Sequence, residues 1–403
     1  MTAALTLQPA FPGFCPVTEA VEKLAVDGGI EERGAIFTKR EVVDFILDLT
    51  GYTVDASLSE YRLLEPSFGD GDFLVPAIER LLLSAEREGK LTYAALVNSI
   101  CAIELHRSTF EGTRKLVVER LEKGGLSHED AARLCNAWLY QGDFLLAEFA
   151  PVFTHVVGNP PYVRQEAIPD VLMAEYRQRY KTIYDRADIY VPFIERSLAL
   201  LAHGGKQGFI CADRWMKNKY GKKLRELVSE NYVLATYVDM YGVDAFHVEV
   251  SAYPAITVIE KAKGGATRVY ARPQIDGKIL EKLAADLTAP SLPKKSQVRE
   301  IENVTAGSEP WVLDSFDELA LVRRLEAHFP ALEDAGCKVG IGVATGADKA
   351  FIGDFESLDV EPSRKLPLVM TRDILEGHVE WRGKGIVNPF GDNGKLVDLE
   401  DFP

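Results

Sequence analysis

The sequence predicts an α/β domain built on a mainly parallel sheet with helices on both faces, followed by part of a smaller domain. Three observations predict it. From about Gly34 to Glu260 helix-period and strand-like stretches alternate, the pattern of a covered parallel sheet. The strand-like runs are short and apolar without strict alternation, as in strands buried on both faces. The polar residues with chemical potential fall directly after strands, where ligands of such sheets bind.

Glu41 to Leu49 spaces its apolar residues for a helix, and Tyr61 to Glu65 is a short strand ending on an acid. Phe73 to Glu86 reads as a helix with Pro76 in its first turn, where the missing amide costs little. Leu91 to Asn98 is an extra helix and Ser99 to Glu104 the second strand. Thr154 to Gly158 is the third, followed by a sharp Asn-Pro-Pro loop. Ile189 to Leu201 is a helix, Gly208 to Ala212 a buried strand, and Tyr232 to Val238 and Ala255 to Ile259 complete the set. Leu287 to Lys295, rich in proline and small residues, reads as a linker. Beyond it, Gly340 to Gly346 with Phe351 and Ile352 forms a glycine-rich β segment, and Leu366 to Val369 a strand. The expected organisation is an extension over 1–33, a catalytic domain over 34–286, a linker over 287–305, and the incomplete start of a recognition domain over 306–403.

The bulk numbers narrow the class. A chain of 403 residues that is 47% hydrophobic and 27% charged is globular rather than disordered. It lacks the roughly 18-residue apolar run of a membrane span. Five widely spaced cysteines without a C-x-x-C argue against a disulfide framework or zinc cluster and for a reducing cytoplasm; no metal is expected. The net charge of −15 conflicts with phosphate binding unless charge is segregated along the surface.

Glu65-Pro66-Ser67-Phe68-Gly69-Asp70-Gly71-Asp72-Phe73 follows a strand and opens a helix, and its glycines permit a tight turn and close approach to a ligand. It has neither the lysine of a phosphate loop nor G-x-G-x-x-G spacing. Glu65, Asp70 and Asp72 repel a pyrophosphate but suit a ligand bearing an amino group and a sulfonium, such as S-adenosylmethionine. The plainer reading is a strand-turn-helix corner. Glu104, ending the next strand, can accept from two ribose hydroxyls, although it lies farther from the glycines than the roughly 20 residues usual in nucleotide folds. Asp143, in Gly142-Asp143-Phe144, can accept from an exocyclic adenine amine; alone, a Gly-Asp pair is more often a turn.

The sharpest signal is Asn159-Pro160-Pro161-Tyr162. The N6 amine of adenine is a weak nucleophile because its lone pair is delocalised into the ring. Two acceptors facing its two hydrogens localise that pair. The Asn159 side-chain oxygen supplies one and the Pro160 carbonyl the other, with Pro161 stiffening the peptide behind it. Tyr162 offers a face on which an extruded base stacks. Such catalysis needs positioning and electrostatics rather than a metal or covalent nucleophile. The bland alternative is a Pro-Pro turn capping a strand.

These residues, in this order, resemble the gamma-class amino-methyltransferases of the Taq and Eco57 type over roughly Gly34 to Glu260. The resemblance implies a Rossmann-like class I methyltransferase fold and S-adenosylmethionine as cofactor. It assigns Gly34-Ala35-Ile36-Phe37-Thr38 to the motif whose threonine region meets the donor's carboxylate. Glu65, Pro66, Ser67, Gly69, Gly71 and Phe73 fall in the donor-binding motif. Glu104 becomes the ribose acid, Asp143-Phe144 the adenine-binding pair, and Asn159 to Tyr162 the catalytic loop. Ala245 to Ser251 resembles the late motif whose aromatic residue, here Phe246, packs on the flipped base. Gly340 to Phe351 resembles the start of a target-recognition domain. Lys39-Arg40 departs from the family, which often has proline there.

Two basic stretches are candidates for a DNA groove. Lys206, Arg214, Lys217, Lys219, Lys222, Lys223 and Arg225 stand against the single acid Asp213, and Tyr176 to Arg186 interleaves tyrosines with Arg177, Arg179 and Lys181. Either could equally be a solvated helix face. The expectation is a monomer that methylates N6 of adenine in double-stranded DNA within restriction-modification or phage defence, its nuclease or specificity subunit residing on a separate chain. The alternatives are a methyltransferase acting on a protein glutamine or an rRNA guanine, and a non-catalytic DNA-binding modification subunit.

Overall fold

A computed structural model describes residues 15–26, 36–150, 152–184, 187–247 and 253–302, and beyond these 304–305, 307–311, 313, 321, 324–325, 328–338, 345, 347–375, 377–391 and 395–398. The chain divides into two compact units, Met1–Leu321 and Val322–Pro403.

Within the first unit the strands are β1 (Leu63–Glu65), β2 (Ile100–Glu104), β3 (Leu139–Gln141), β4 (Phe153–Gly158), β5 (Leu201–Ala212), β6 (Val233–Asp239), β7 (Pro254–Glu260), β8 (Thr267–Ala271) and β9 (Arg299–Ile301). They form one sheet in the order β3-β2-β1-β4-β5-β7-β6-β8-β9. The first five strands pair in parallel; β7 is antiparallel to both β5 and β6, and β9 to β8. The helices are α1 (Pro16–Val26), α2 (Arg40–Thr50), α3 (Leu74–Arg87), α4 (Tyr93–Leu96), α5 (Arg107–Lys123), α6 (His128–Trp138), α7 (Asp170–Arg179), α8 (Tyr190–Leu200), α9 (Arg214–Lys217), α10 (Lys222–Asn231) and α11 (Gly277–Thr288). No helix of the described residues is long and apolar enough to cross a membrane.

Successive strand side chains point to opposite faces, so a doubly covered strand divides its residues between two cores. Leu63, Ala102, Val157 and Ile210 enter one core with α2, α3, α5, α6 and α11. Their neighbours Leu64, Ile103, Val156 and Phe209 enter the other with α7, α8 and α10. This is why the strands read as continuous apolar runs. Local signals set the helix ends. Gly51, at φ +83, closes α2 by donating to the Asp48 and Leu47 carbonyls. Ser127 caps α6 and Asp276 caps α11 through side-chain acceptors.

His155 on β4 is buried, its ring nitrogens against Thr154 Oγ1 (2.9 Å) and the Thr50 carbonyl (3.2 Å), and it stacks on Tyr61. Burial pulls its pKa down to about 4. Folding therefore favours the neutral ring, a contribution fully present above the unfolded pKa of about 6.5 and lost as pH falls toward 4. Its size at pH 7 is about 3 kcal/mol. Buried carboxylates titrate in the opposite sense, so the expected result is a comparison. Between pH 6.5 and 4, urea-unfolding midpoints of the wild type fall more steeply than those of His155→Gln.

The segment expected to be a linker, 287–305, instead supplies the edge strand β9, and Trp311 and Leu313 beyond it are buried in the second core. The proline-rich stretch ends before Val298, and Arg299–Ile301 then pair with β8 at the sheet edge, with Val298 and Ile301 buried. Part of the basic run is likewise structural. Arg225 is buried and donates to the Trp215, Asn218 and Ser308 carbonyls (2.6, 2.8 and 2.8 Å). Lys206 lies mid-strand opposite His155 rather than past the end of β5, because that strand begins at Leu201. In the same turn a Cβ on Gly221 would stand 1.7 Å from the Trp215 carbonyl oxygen. Backbone cannot yield as a flexible side chain does, so Gly221→Ala is expected to cost about 3 kcal/mol in urea unfolding.

In the second unit β10 (Ile352–Asp354), β14 (Lys384–Val387) and β11 (Lys365–Pro367) form an antiparallel sheet in that order, and β12 (Ile374–Leu375) pairs with β13 (His378–Val379). Phe351 ends the short helix α12 (Asp348–Phe351) rather than lying in a strand. The strand expected at Leu366 to Val369 is β11. The glycine-rich segment Gly340 to Gly346 lies, except for Thr345, outside the described residues.

Candidate active site

The sheet order places β4 beside β1 while β2 and β3 continue on the other side of β1. Such a reversal opens a crevice at the carboxyl ends of the two diverging strands. Glu65 ends β1 and Asn159 follows β4, so both stand at this switch point. Glu104 ends β2, and Asp143 lies just past β3. A cavity of about 320 Å³ lies there.

Of the expected donor-site residues, Thr38, Glu65, Pro66, Ser67, Gly69, Phe73, Glu104, Asp143, Phe144 and Asn159 line this cavity. Gly71 does not. Its φ is +93, and a Cβ would press on Thr113 and Val75 at 3.2 Å, so its part is to let the loop turn against α5. Of the residues expected to be catalytic, Asn159 and Pro161 line the cavity; Pro160, Tyr162 and Phe246 do not.

Each acid is held differently. Glu104 accepts from the backbone amides of Gly69 (2.9 Å) and His106 (2.8 Å), which ties the glycine loop to the end of β2. Asp143 accepts from the Leu145 amide (2.7 Å) and the Tyr176 hydroxyl. Burial nevertheless raises its pKa. Glu65 is 1% exposed and its Oε2 has no hydrogen-bond partner. Burial, then repulsion from Asp72 and Glu104, holds its carboxyl well above the usual carboxylate range. A buried acid without a counter-charge in a cavity wall is suited to a cationic ligand.

The amide of Asn159 donates to the Ile36 carbonyl (2.9 Å) and the Thr38 hydroxyl (3.3 Å), which fixes the side chain with its oxygen outward from those contacts. That Oδ1 is buried and unpartnered. The Thr38 amide donates to Asp72 (2.7 Å), and the Lys39 and His247 amides donate to the Ala245 and Phe37 carbonyls (both 3.0 Å). Thr38 thereby forms a β-bridge with Phe246. The early motif, glycine loop, catalytic loop and late motif are thus one hydrogen-bonded assembly. Lys39 pairs with Asp244, and Arg40 with Asp44 and Glu79, so the dipeptide that departs from the family braces the start of α2. Gly34, Ala35 and Val248 to Ser251 lie outside the described residues.

Sequence reasoning placed Tyr176 in a DNA-facing stretch, yet Tyr176 and Tyr180 are buried, facing Asp143 and the Leu145 carbonyl. The spacing of Met173, Tyr176 and Tyr180 marks an inner helix face and carried that information. Arg177 and Arg179 are exposed, with Arg177 on Gln165 and Arg179 paired with Glu175. Lys217, Lys219, Lys222 and Lys223 are exposed past the end of β5; Lys217 lies 3.8 Å from Asp213, and Lys223 pairs with Glu226. Asp70 and Asp72, the other two acids of the glycine loop, also line the cavity, as does Phe193, which was not among the expected donor-site residues.

The family model of the Eco57I restriction-modification methylase matches residues 79–246. The chain is 60% identical over 399 residues to the Type II methyltransferase M.PaeR7I of Pseudomonas aeruginosa, covering 98% of this chain and 70% of that protein. It is 53% identical over 380 residues to the Type II methyltransferase M.XhoI of Xanthomonas vasicola, covering 93% and 70%. Among solved structures, the type IIG restriction endonuclease BpuSI superposes with a TM-score of 0.50 at 15% identity, over 92% of this chain and 45% of that one. At that identity the likeness speaks to the fold.

Proposed function

Since the chain belongs to the gamma-class restriction-modification methyltransferases of the Eco57I type, we propose that it moves the methyl group of S-adenosylmethionine to N6 of an adenine turned out of duplex DNA. The observation that carries this reading is the unpartnered state of two cavity groups at the β1/β4 switch point. Glu65 Oε2 and Asn159 Oδ1 are both buried and both without a partner, one anionic when ionised and one neutral.

The donor fits the donors and acceptors present. Its ammonium and sulfonium supply the cationic partner that Glu65 lacks; its ribose hydroxyls meet Glu104, and its adenine amine Asp143, between apolar walls that include Phe144 and Phe193. When bound, S-adenosylmethionine supplies an electrophilic methyl carbon. The remaining work falls to the chain. Asn159 Oδ1 accepts one hydrogen of the target amine and the Pro160 carbonyl the other, so the lone pair is directed at the incoming carbon. Positive charge developing on the amine as it is methylated would be stabilised by these two oxygens, and the proton released would pass to solvent. Tyr162 stacks on the base, Phe246, buried and bridged to Thr38, braces the early motif rather than packing on the base, and Lys217, Lys219, Lys222, Lys223, Arg177 and Arg179 meet the backbone.

The class of acceptor is tested by label transfer. Tritiated donor is incubated with equal amounts of unmethylated bacterial duplex DNA, ribosomal RNA and cell protein. Label recovered in DNA supports the reading; label in RNA or protein instead supports methylation of a guanine or glutamine. Donor binding by calorimetry without transfer to any of them assigns a non-catalytic modification subunit.

A further inference from the structure

Four neighbouring strands of the sheet, β5, β7, β6 and β8, each place one residue just beyond the carboxyl edge on which the cavity lies. Arg214 follows β5, Tyr253 precedes the antiparallel β7, Tyr241 follows β6, and Arg272 follows β8. Adjacent strands run about 4.8 Å apart, so residues one or two positions past their ends can stack at the same interval. The Tyr241 and Tyr253 rings lie 4.8 Å apart and 11° from parallel. Arg214 sits over the Tyr253 ring at 5.0 Å, and Arg272 lies 5.5 Å from the Tyr241 ring.

This ladder is exposed: Tyr241 is 45% and Tyr253 44% accessible, whereas most aromatic residues of the first unit are buried. It is also held at some expense. Arg272 is the one non-glycine residue with positive φ (+53) among the described residues, a strained conformation that persists where the surroundings impose it. Asp239 imposes it. Its carbonyl accepts from the Arg272 amide (2.8 Å), its carboxylate stands 3.6 Å from the guanidinium, and the same carboxylate accepts from the Tyr241 amide (2.8 Å). One acid thus orients both the ring and its terminal cation.

Resting on the reading of the cavity as a DNA-methylating site, we propose that the Arg214–Tyr253–Tyr241–Arg272 ladder is a DNA-contacting surface that engages the strand flanking the methylated base. A cation at each end of an exposed aromatic stack matches a chain with phosphates at intervals and sugars and bases between them. The ladder continues, strand by strand, the edge that begins at Glu65 and Asn159, and none of its four residues lines the cavity.

The test uses the whole chain, saturating S-adenosylmethionine and fluorescein-labelled 30-base-pair duplexes, read by anisotropy across a salt series. Tyr241→Ala/Tyr253→Ala is expected to weaken the duplex Kd by about tenfold or more, while Tyr241→Phe/Tyr253→Phe, which keeps the stack, retains wild-type affinity. Arg214→Gln and Arg272→Gln are each expected to lower the slope of log Kd against log salt by about one. Donor binding by calorimetry stays unchanged in all four variants. An alanine pair that binds duplex as the wild type does, with donor binding intact, overturns the ladder and leaves the methyltransferase reading standing. A wild type that neither binds nor methylates duplex DNA overturns both.

Discussion

Asn159→Ala is expected to lower the maximal rate of DNA methylation by about three orders of magnitude or more. The Asn159 side chain is anchored at its nitrogen by the Ile36 carbonyl and Thr38 hydroxyl, so its oxygen is aimed before substrate arrives. That preorganisation is what alanine removes. Donor affinity should change far less, by about tenfold at most, since the loss is of transition-state rather than ground-state contact. Asn159→Asp separates the two functions of the side chain. It keeps an acceptor for the target amine but sets a carboxylate oxygen against the Ile36 carbonyl, and should fall between wild type and alanine in single-turnover assays. Equal loss of donor affinity and rate in Asn159→Ala would mean that the residue builds the cavity rather than performs the transfer.

The second large effect is on donor binding. Glu104→Ala is expected to weaken the S-adenosylmethionine Kd by about 100-fold or more, because two hydrogen bonds to a charged acceptor are worth about 1.5–3 kcal/mol each. The Gly69 and His106 amides also lose their acceptor, which loosens the glycine loop where it meets β2. Rate at saturating donor should fall by less than about tenfold, the split expected of a residue remote from the reacting carbon. Calorimetry reads the first quantity and steady-state kinetics the second. An unchanged donor Kd would move the ribose away from Glu104.

Much of the site was legible because its logic is local. Most of its acids and amides sit at the end of an apolar run, and the parallel topology brings those ends to one edge. Glu65, Glu104 and Asn159 needed no more than that, whereas Asp143 follows Tyr140-Gln141-Gly142, which reads as a turn, and only the family resemblance singled it out. The partners that hold them were not legible. Tyr176 reaches Asp143 across 33 positions and Asp72 reaches Thr38 across 34, and no periodicity in the sequence encodes such pairs. The same limit explains β9. Three residues after a proline-rich stretch carry too little pattern to read as a strand, and β8 supplies the pairing that makes them one. Arg225 shows the converse, a cation within a basic run whose burial follows from the carbonyls that tertiary packing places around it.

The most direct test of the account is the identity of the methylated atom. Unmethylated bacterial DNA is incubated with the chain and labelled S-adenosylmethionine, digested to nucleosides and resolved by mass spectrometry, with Asn159→Ala alongside. The account predicts label in N6-methyladenine for the wild type and none above background for the variant. Label in a cytosine derivative, or in N6-methyladenine from both proteins alike, would contradict it.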